Sequence, residues 1–263
     1  MALKANKVKR KPPRGGFLLG MLTMVSILAG CASRPSGVDA PDLSATPWAT
    51  AVTAGGPAPQ WAHQQFPGKR ASQHRYVRLD GRDAVLVESS SAVSLLRQVL
   101  RVEPGDLGSL RFSWKVPALI ASADMKDRDV EDSPVRVVLA FEGDRSKFSA
   151  RDAMLSDLAH ALTGEPLPYA TLMYVWCNDT EPGTVLNGNR TSRIRKLVLE
   201  SGGARLNQWL EYERDIRADF EKAFGEPPGA LVSIGIMTDT DNTRSLATAW
   251  YGPIRHMGLK RAP

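Results

Sequence analysis

Two aspartates near the C-terminal end of the sequence have the spacing of a small polar site. Asp239 and Asp241 stand two positions apart in Asp-Thr-Asp-Asn-Thr-Arg, directly after a β-type run. In an extended segment their carboxylates point to the same side, and two like charges held close need a cation, an arginine or backbone amides to offset them. The pair therefore predicts a calcium site, a ligand-binding loop that includes Asn242, or a hydrogen-bonded turn, since Asp, Asn and Thr also form turns.

A second acidic stretch covers residues 124–132 and holds four aspartates and one glutamate. Carboxylates are the hard oxygen ligands that calcium prefers. However, Lys126 and Arg128 interleave with these acids, and no glycine provides the turn of an EF-hand loop. The pattern favours a solvated, self-neutralising loop.

Glu211 and Glu213 form a carboxylate pair within a β-type run over residues 206–214. On one face of a strand they would lie about 7 Å apart. Glycoside hydrolysis uses paired carboxylates roughly 5–10 Å apart. Arg214 and Asp215 follow, and the charged outer face of an ordinary strand gives the same pattern, so catalysis at this pair is an alternative hypothesis only.

Aromatic residues occur in several predicted strands and could stack on sugar rings with their apolar faces. They could equally fill the core. Arg136 differs, because it faces away from Val135 and Val137 in its strand and therefore needs solvent or an anionic partner. The residues predicted to contact a ligand are Trp114, Arg136, Tyr174, Trp176, Trp209 and Asn242, and the aromatic set also includes Trp250 and Tyr251.

Most strong catalytic motifs are absent from the sequence. It has no Walker loop, no dinucleotide-binding glycine motif, no His-Glu-x-x-His and no Gly-x-Ser-x-Gly. The four histidines have no metal-pair spacing, and two cysteines exclude a disulfide scaffold. Cys177 lies in an apolar run without a local base, which favours a buried small hydrophobe over a nucleophile.

The first thirty residues have the composition of a secretory signal peptide. They hold six of the 34 bases and no acid, which leaves 28 bases against 28 acids in residues 31–263 and excludes a basic nucleic-acid binder. The apolar run 17–29 would rise only about 20 Å as a helix, too short for the ~30 Å core of a bilayer.

Leu-Ala-Gly-Cys at 28–31 resembles the lipobox of bacterial lipoproteins. The resemblance implies cleavage before Cys31 and acylation of that residue, with chains such as palmitate, so that membrane lipid becomes a partner. Ala32 replaces the aspartate that usually retains such proteins in the inner membrane. In a Gram-negative source, this predicts a lipid-anchored protein of the outer membrane that faces the periplasm.

The elements that position these residues are short β-type runs separated by turn residues. They do not alternate with helices as βαβ units, which disfavours a doubly wound sheet. A capping pattern at Ser149 predicts one helix that ends at Gly164, and a second helix covers about 216–224. Ser-Gly-Gly-Ala at 201–204 predicts a hairpin. The ten predicted strands are 75–79, 84–88, 95–102, 109–116, 135–141, 170–177, 194–200, 206–214, 230–238 and 247–254.

The predicted fold is all-β with minor helices, a single antiparallel β-sandwich of jelly-roll type with two helices in its connections. Residues 32–47 are rich in Ser, Pro, Gly, Ala and Asp and lack apolar periodicity, which is typical of a flexible tether. The predicted organisation is a signal peptide over 1–30, a tether over 31–47 and the sandwich domain over 48–263.

Several of these segments resemble a bacterial family called domain of unknown function 3047. They are Phe-Ser-Trp-Lys-Val at 112–116, Val-Arg-Val-Val-Leu-Ala-Phe at 135–141, Tyr-Val-Trp at 174–176, Ala-Phe-Gly-Glu-Pro-Pro at 223–228 and Met-Thr-Asp-Thr-Asp-Asn-Thr at 237–243. The resemblance covers about residues 48–257 and implies an envelope-facing β-sandwich, with no established activity. One departure is Asp-Val-Glu-Asp-Ser at 129–133, where the family tends to show adjacent aspartates.

Together these patterns predict an envelope lipoprotein with a non-catalytic binding module for glycan or another envelope component. The alternative is a glycan-processing hydrolase that uses Glu211 and Glu213. Neither hypothesis requires an organic cofactor, and calcium at Asp239 and Asp241 is the one metal that the sequence suggests.

Overall fold

A computed structural model describes residues 43–50 and 60–258 of the chain. The signal peptide, Cys31 and most of the predicted tether lie outside the described residues. The strands are β1 Trp61–Gln65, β2 Gln73–Leu79, β3 Arg82–Ser90, β4 Ser94–Val102, β5 Ser109–Lys115, β6 Ser133–Phe141, β7 Ala170–Cys177, β8 Val185–Asn187, β9 Ile194–Ser201, β10 Leu210–Asp215, β11 Leu231–Asp239, β12 Leu246–Tyr251 and β13 Arg255–Met257. The helices are α1 Pro47–Thr50, α2 Ala150–Thr163 and α3 Ile216–Phe224.

The strands form two sheets, which confirms the predicted β-sandwich. Sheet A has the order β1-β4-β11-β6-β7-β9-β8, and sheet B has the order β10-β5-β12-β3-β2, with β13 also pairing with β5. All pairs are antiparallel except β7 with β9, which departs from the prediction. The chain carries β8 to the far side of β9, so β9 returns beside β7 in the same direction. The jelly-roll connectivity stays a prediction.

The main core lies between the sheets and is formed by alternate side chains of their strands. Phe112 of sheet B stacks on Tyr174 of sheet A, with ring centroids 5.5 Å apart. Trp48, the first residue of the predicted domain, is buried in this core, and so is Leu43, which lies within the predicted tether. Trp48 packs against Trp61 at a centroid distance of 4.6 Å.

A second, smaller apolar cluster covers part of the outer face of sheet A. Met125, from the connection between β5 and β6, packs there with Val138 and Met173. All residues of β6 and β7 are therefore buried, which explains their continuous apolar sequence. Cys177 belongs to this cluster, and burial raises the pKa of its thiol to about 11, as expected for a structural cysteine.

Both predicted helices are confirmed. At the start of α2, the Ser149 side chain accepts a hydrogen bond from the Asp152 backbone, and α2 ends at Gly164, whose φ is 79°. Asp152 also accepts hydrogen bonds from Thr191 and Ser192, which attach α2 to the loop before β9. Burial acts to raise the pKa of Asp152, but these hydrogen bonds to its charged form lower it to about 2.

The hairpin predicted at residues 201–204 is wrong. Strand β9 belongs to sheet A and β10 to sheet B, so this segment crosses between the sheets. Strand β10 also begins at Leu210, later than predicted. Within residues 43–50 and 60–258, no helix is both long enough and apolar enough to cross a bilayer.

Candidate functional site

Three aspartates converge at one end of sheet A, on its outer side. Asp132 directly precedes β6 and Asp239 ends β11, and these strands pair with Asp239 opposite Ser133. Asp241 follows in the loop to β12. One carboxylate oxygen from each lies within 4.8 Å of the others. We call Asp132, Asp239 and Asp241 the carboxylate site.

Two basic residues neutralise part of this charge. Arg136 Nη2 lies 2.9 Å from Asp239 Oδ2, and both side chains are at least nine-tenths buried. Lys69 forms an ion pair with Asp241 while its own side chain stays 41 % exposed. Lys69 also lines a surface cleft of about 580 Å³, and Asp241 is only partly buried.

Asp132 is fixed by the loop that carries Asp241. The Thr243 backbone N–H and hydroxyl donate to Asp132 Oδ2 at 2.8 and 2.6 Å, and the Asn242 N–H donates to Oδ1 at 3.3 Å. The backbone of this loop therefore holds Asp132 beside the other two carboxylates.

The electrostatics of the carboxylate site are strongly perturbed. Burial is the main cause that raises the pKa of Asp239, with Arg136 opposing it and the Asp241 and Asp132 carboxylates adding to it. Burial also acts to raise the pKa of Asp241, but the neighbouring Asp239 and the ion pair with Lys69 lower it. Asp239 Oδ1 is buried and has no hydrogen-bond donor among the described residues. A proton or a cation can stabilise that oxygen.

Arg136 and Asn242 were predicted to contact a ligand, and the structure places both beside the carboxylate site. The ligand contact of Asn242 stays a prediction. The Arg136 guanidinium contacts Asp239, the Glu131 carbonyl oxygen and the Met173 sulfur. The Asn242 side chain donates to the Arg128 carbonyl oxygen at 3.1 Å. The Arg136 assignment is corrected, because only 4 % of this residue is exposed.

The acidic loop over 124–132 is only partly the solvated loop that was predicted. Asp124 and Asp127 accept hydrogen bonds from the backbone two residues on, as turn residues do. Glu131 instead pairs with the buried Lys196, at 2.8 Å, and Asp132 is 2 % exposed. Asp132 was predicted only as one acid of this stretch, and the structure places it in the carboxylate site because β6 begins two residues earlier than predicted.

Three of the aromatic residues predicted to stack on a ligand are buried in the core. Trp114, Tyr174 and Trp176 are at most 1 % exposed and pack between the sheets. Their assignment as ligand contacts is corrected, because a sugar ring cannot reach an indole or phenol inside the sandwich.

Two other tryptophans occupy the solvent-facing side of sheet B. Trp114 and Tyr251 pair across β5 and β12 and face inward, so the next pair, Lys115 with Trp250, faces outward. Trp209 lies next to Lys115, since Asp80 Oδ2 accepts hydrogen bonds from Trp209 Nε1 at 3.1 Å and Lys115 Nζ at 2.8 Å. Trp209 and Trp250 are half-buried. We call Trp209, Lys115 and Trp250 the aromatic row.

Glu211 and Glu213 share the exposed face of β10, and each pairs with an arginine. Glu211 Oε1 lies 2.5 Å from Arg82 Nη1, and Glu213 Oε2 lies 2.9 Å from Arg111 Nε. The Arg111 hydrogen bond lowers the pKa of Glu213. A general acid in glycoside hydrolysis needs the opposite shift.

Comparison with known proteins finds one family and several structural neighbours. The xyloglucanase domain of NopAA, a type three effector from Sinorhizobium fredii solved in complex with cellobiose, aligns with a TM-score of 0.42 and 8 % sequence identity. The alignment covers 78 % of this chain and 94 % of that domain. No curated protein sequence matches the chain. The family model DUF3047, described as a protein of unknown function, matches residues 59–255, and the chain therefore belongs to this family.

Proposed function

We propose that this protein is a lipid-anchored envelope protein whose β-sandwich binds glycan without catalysis. The observation that carries the proposal is the aromatic row, in which two half-buried indoles flank a lysine on the outer face of sheet B. A half-buried tryptophan on the outer face of a sheet can stack on a sugar ring, because its indole is not part of the core packing.

The geometry of the aromatic row suits a ligand of several sugar units. Trp209 and Trp250 flank β5, so they are separated by two interstrand spacings, about 10 Å. Asp80 holds the Trp209 indole and Lys115 in place, and its hydrogen bond with Lys115 lowers the pKa of Asp80. The row therefore combines apolar ring faces with charged groups that can hydrogen-bond to hydroxyls.

Binding without catalysis is favoured because Glu211 and Glu213 already pair with arginines. The Arg82 guanidinium lies between Glu211 and the Trp209 ring, 5.6 Å from the ring centroid. Glu211 therefore positions Arg82 beside the aromatic row, and Glu213 forms an ion pair with Arg111.

Replacing Trp209 or Trp250 by alanine should weaken glycan binding about tenfold, or roughly 1.4 kcal/mol, with little change in stability. Each substitution removes stacking surface and leaves the main core intact. Titration calorimetry with soluble fragments of peptidoglycan and of envelope polysaccharides measures the dissociation constants. Leu246→Ala is the matched control, since Leu246 is an exposed apolar residue of β12 outside the row.

Two outcomes would contradict this proposal. In the first, no fragment binds the wild type, or both tryptophan variants bind as tightly as it does. In the second, the wild type releases sugar from the glycan and Glu211→Gln or Glu213→Gln abolishes that release, which would favour the hydrolase instead.

The membrane anchor is proposed from the sequence at residues 28–31. Cys31→Ala should abolish labelling by a fatty-acid analogue and release the protein into the soluble periplasmic fraction. Several acyl chains give stable anchoring where a single chain is marginal. Cys177→Ala is the matched control, because Cys177 is buried and should leave labelling unchanged. Labelled Cys31→Ala protein that remains with the membrane would refute the anchor.

A further inference from the structure

We propose that the carboxylate site binds one divalent cation, with calcium preferred, at the junction of β6, β11 and the loop to β12. This site lies in sheet A, whereas the aromatic row lies in sheet B, so the inference does not depend on glycan binding. The ligands are one carboxylate oxygen each from Asp132, Asp239 and Asp241.

The distances fit the coordination shell of calcium. Calcium takes oxygen ligands at about 2.3–2.6 Å, so two ligands of one ion are at most about 5 Å apart. The three oxygens of the carboxylate site lie within 4.8 Å of one another. Three carboxylates leave several coordination positions for water, and Asp241 is only partly buried.

An independent observation is the buried oxygen of Asp239. This residue is 6 % exposed, and its Oδ1 has no hydrogen-bond donor among the described residues. Arg136 contacts only the other oxygen, Oδ2. A buried carboxylate oxygen without a partner is costly, and such atoms in folded proteins usually have a partner, an ordered water or an ion.

The three carboxylates outnumber their basic partners, so the site can accept a cation. Two of the three carboxylates form ion pairs with basic residues, Arg136 and Lys69. Arg136 is buried and stays with Asp239 Oδ2, but the Lys69 side chain is 41 % exposed and can move into the cleft. A calcium ion would then replace the Lys69 ammonium at Asp241 and also contact Asp239 Oδ1, which Lys69 does not reach.

The first test is calcium binding to the purified full chain after treatment with a chelator. Titration calorimetry with calcium chloride should give one ion per chain. At a hundredfold excess over Kd, calcium should raise the melting temperature by about 5–10 °C. Asp132→Asn and Asp239→Asn should abolish both effects. Asp127→Asn is the matched control, because Asp127 is an exposed aspartate of the same acidic loop.

A second variant keeps the test decisive if the aspartate variants do not fold. Lys69→Ala removes the competing ammonium from an exposed position, so calcium should bind about two- to fivefold more tightly than in the wild type. The proposal is overturned if neither wild type nor Lys69→Ala binds calcium at millimolar concentration. It is also overturned if calcium binds with unchanged affinity to folded Asp132→Asn and Asp239→Asn, since the ion would then lie elsewhere.

Discussion

Replacing Trp176 by alanine should lower the free energy of unfolding by about 3–5 kcal/mol. Trp176 is 1 % exposed in the main core, and its Nε1 donates to the Gly202 carbonyl oxygen at 3.0 Å. The substitution leaves a cavity between the sheets and an unpaired carbonyl oxygen. Urea unfolding followed by far-UV circular dichroism measures the loss.

Trp209→Ala is the control for this experiment, because it removes the same side chain from the surface of sheet B. We expect it to cost far less stability than Trp176→Ala. Equal losses of stability for the two variants would show that Trp209 is a core residue. Glycan binding by the aromatic row would then be refuted.

Asp152→Asn should lower the free energy of unfolding by roughly 2–3 kcal/mol at pH 7, since the charged carboxylate accepts the hydrogen bonds that hold α2 to the loop before β9. The pKa of Asp152 is about 2 in the folded protein, below the usual value of about 3.9 in an unfolded chain. Its stabilisation is therefore complete well above pH 4 and disappears as the pH falls toward 2.

The measurement compares wild type with Asp152→Asn by urea unfolding at pH 7 and at pH 3. The difference between them should shrink at pH 3. Asp157→Asn is the matched control, because Asp157 is an exposed residue of α2. A difference that stays constant between the two pH values would show that the charge of Asp152 does not contribute.

Much of the fold could be predicted because apolar runs, helix caps and glycines in the sequence match the strands and helices of the structure. Strand β7 and helix α3 have the predicted bounds, and α2 begins after Ser149 and ends before Gly164, as its capping pattern and glycine indicated. The missed strands β1, β8 and β13 are short and at least partly polar, so their formation depends on pairing with longer neighbours.

The candidate sites were harder to predict, because periodicity gives alternation but does not say which face is buried. Trp114 and Trp250 both lie in β-type runs, yet Trp114 faces the core and Trp250 faces solvent. The register of β5 against β12 places Trp250 beside Lys115 and Trp114 beside Tyr251. Asp132 and Asp239 are more than a hundred residues apart, and the pairing of β6 with β11 brings them together.

The packing of Leu43 and Trp48 into the core limits how far the domain could move if Cys31 carries lipid. Twelve peptide steps separate Cys31 from Leu43, and a fully extended chain of that length spans about 40 Å. This segment would keep the start of the sandwich within about 40 Å of the bilayer surface. A glycan within that distance of the membrane would meet the anchored protein at a high effective concentration. Even a weak affinity for each sugar unit would then keep the protein bound to the glycan.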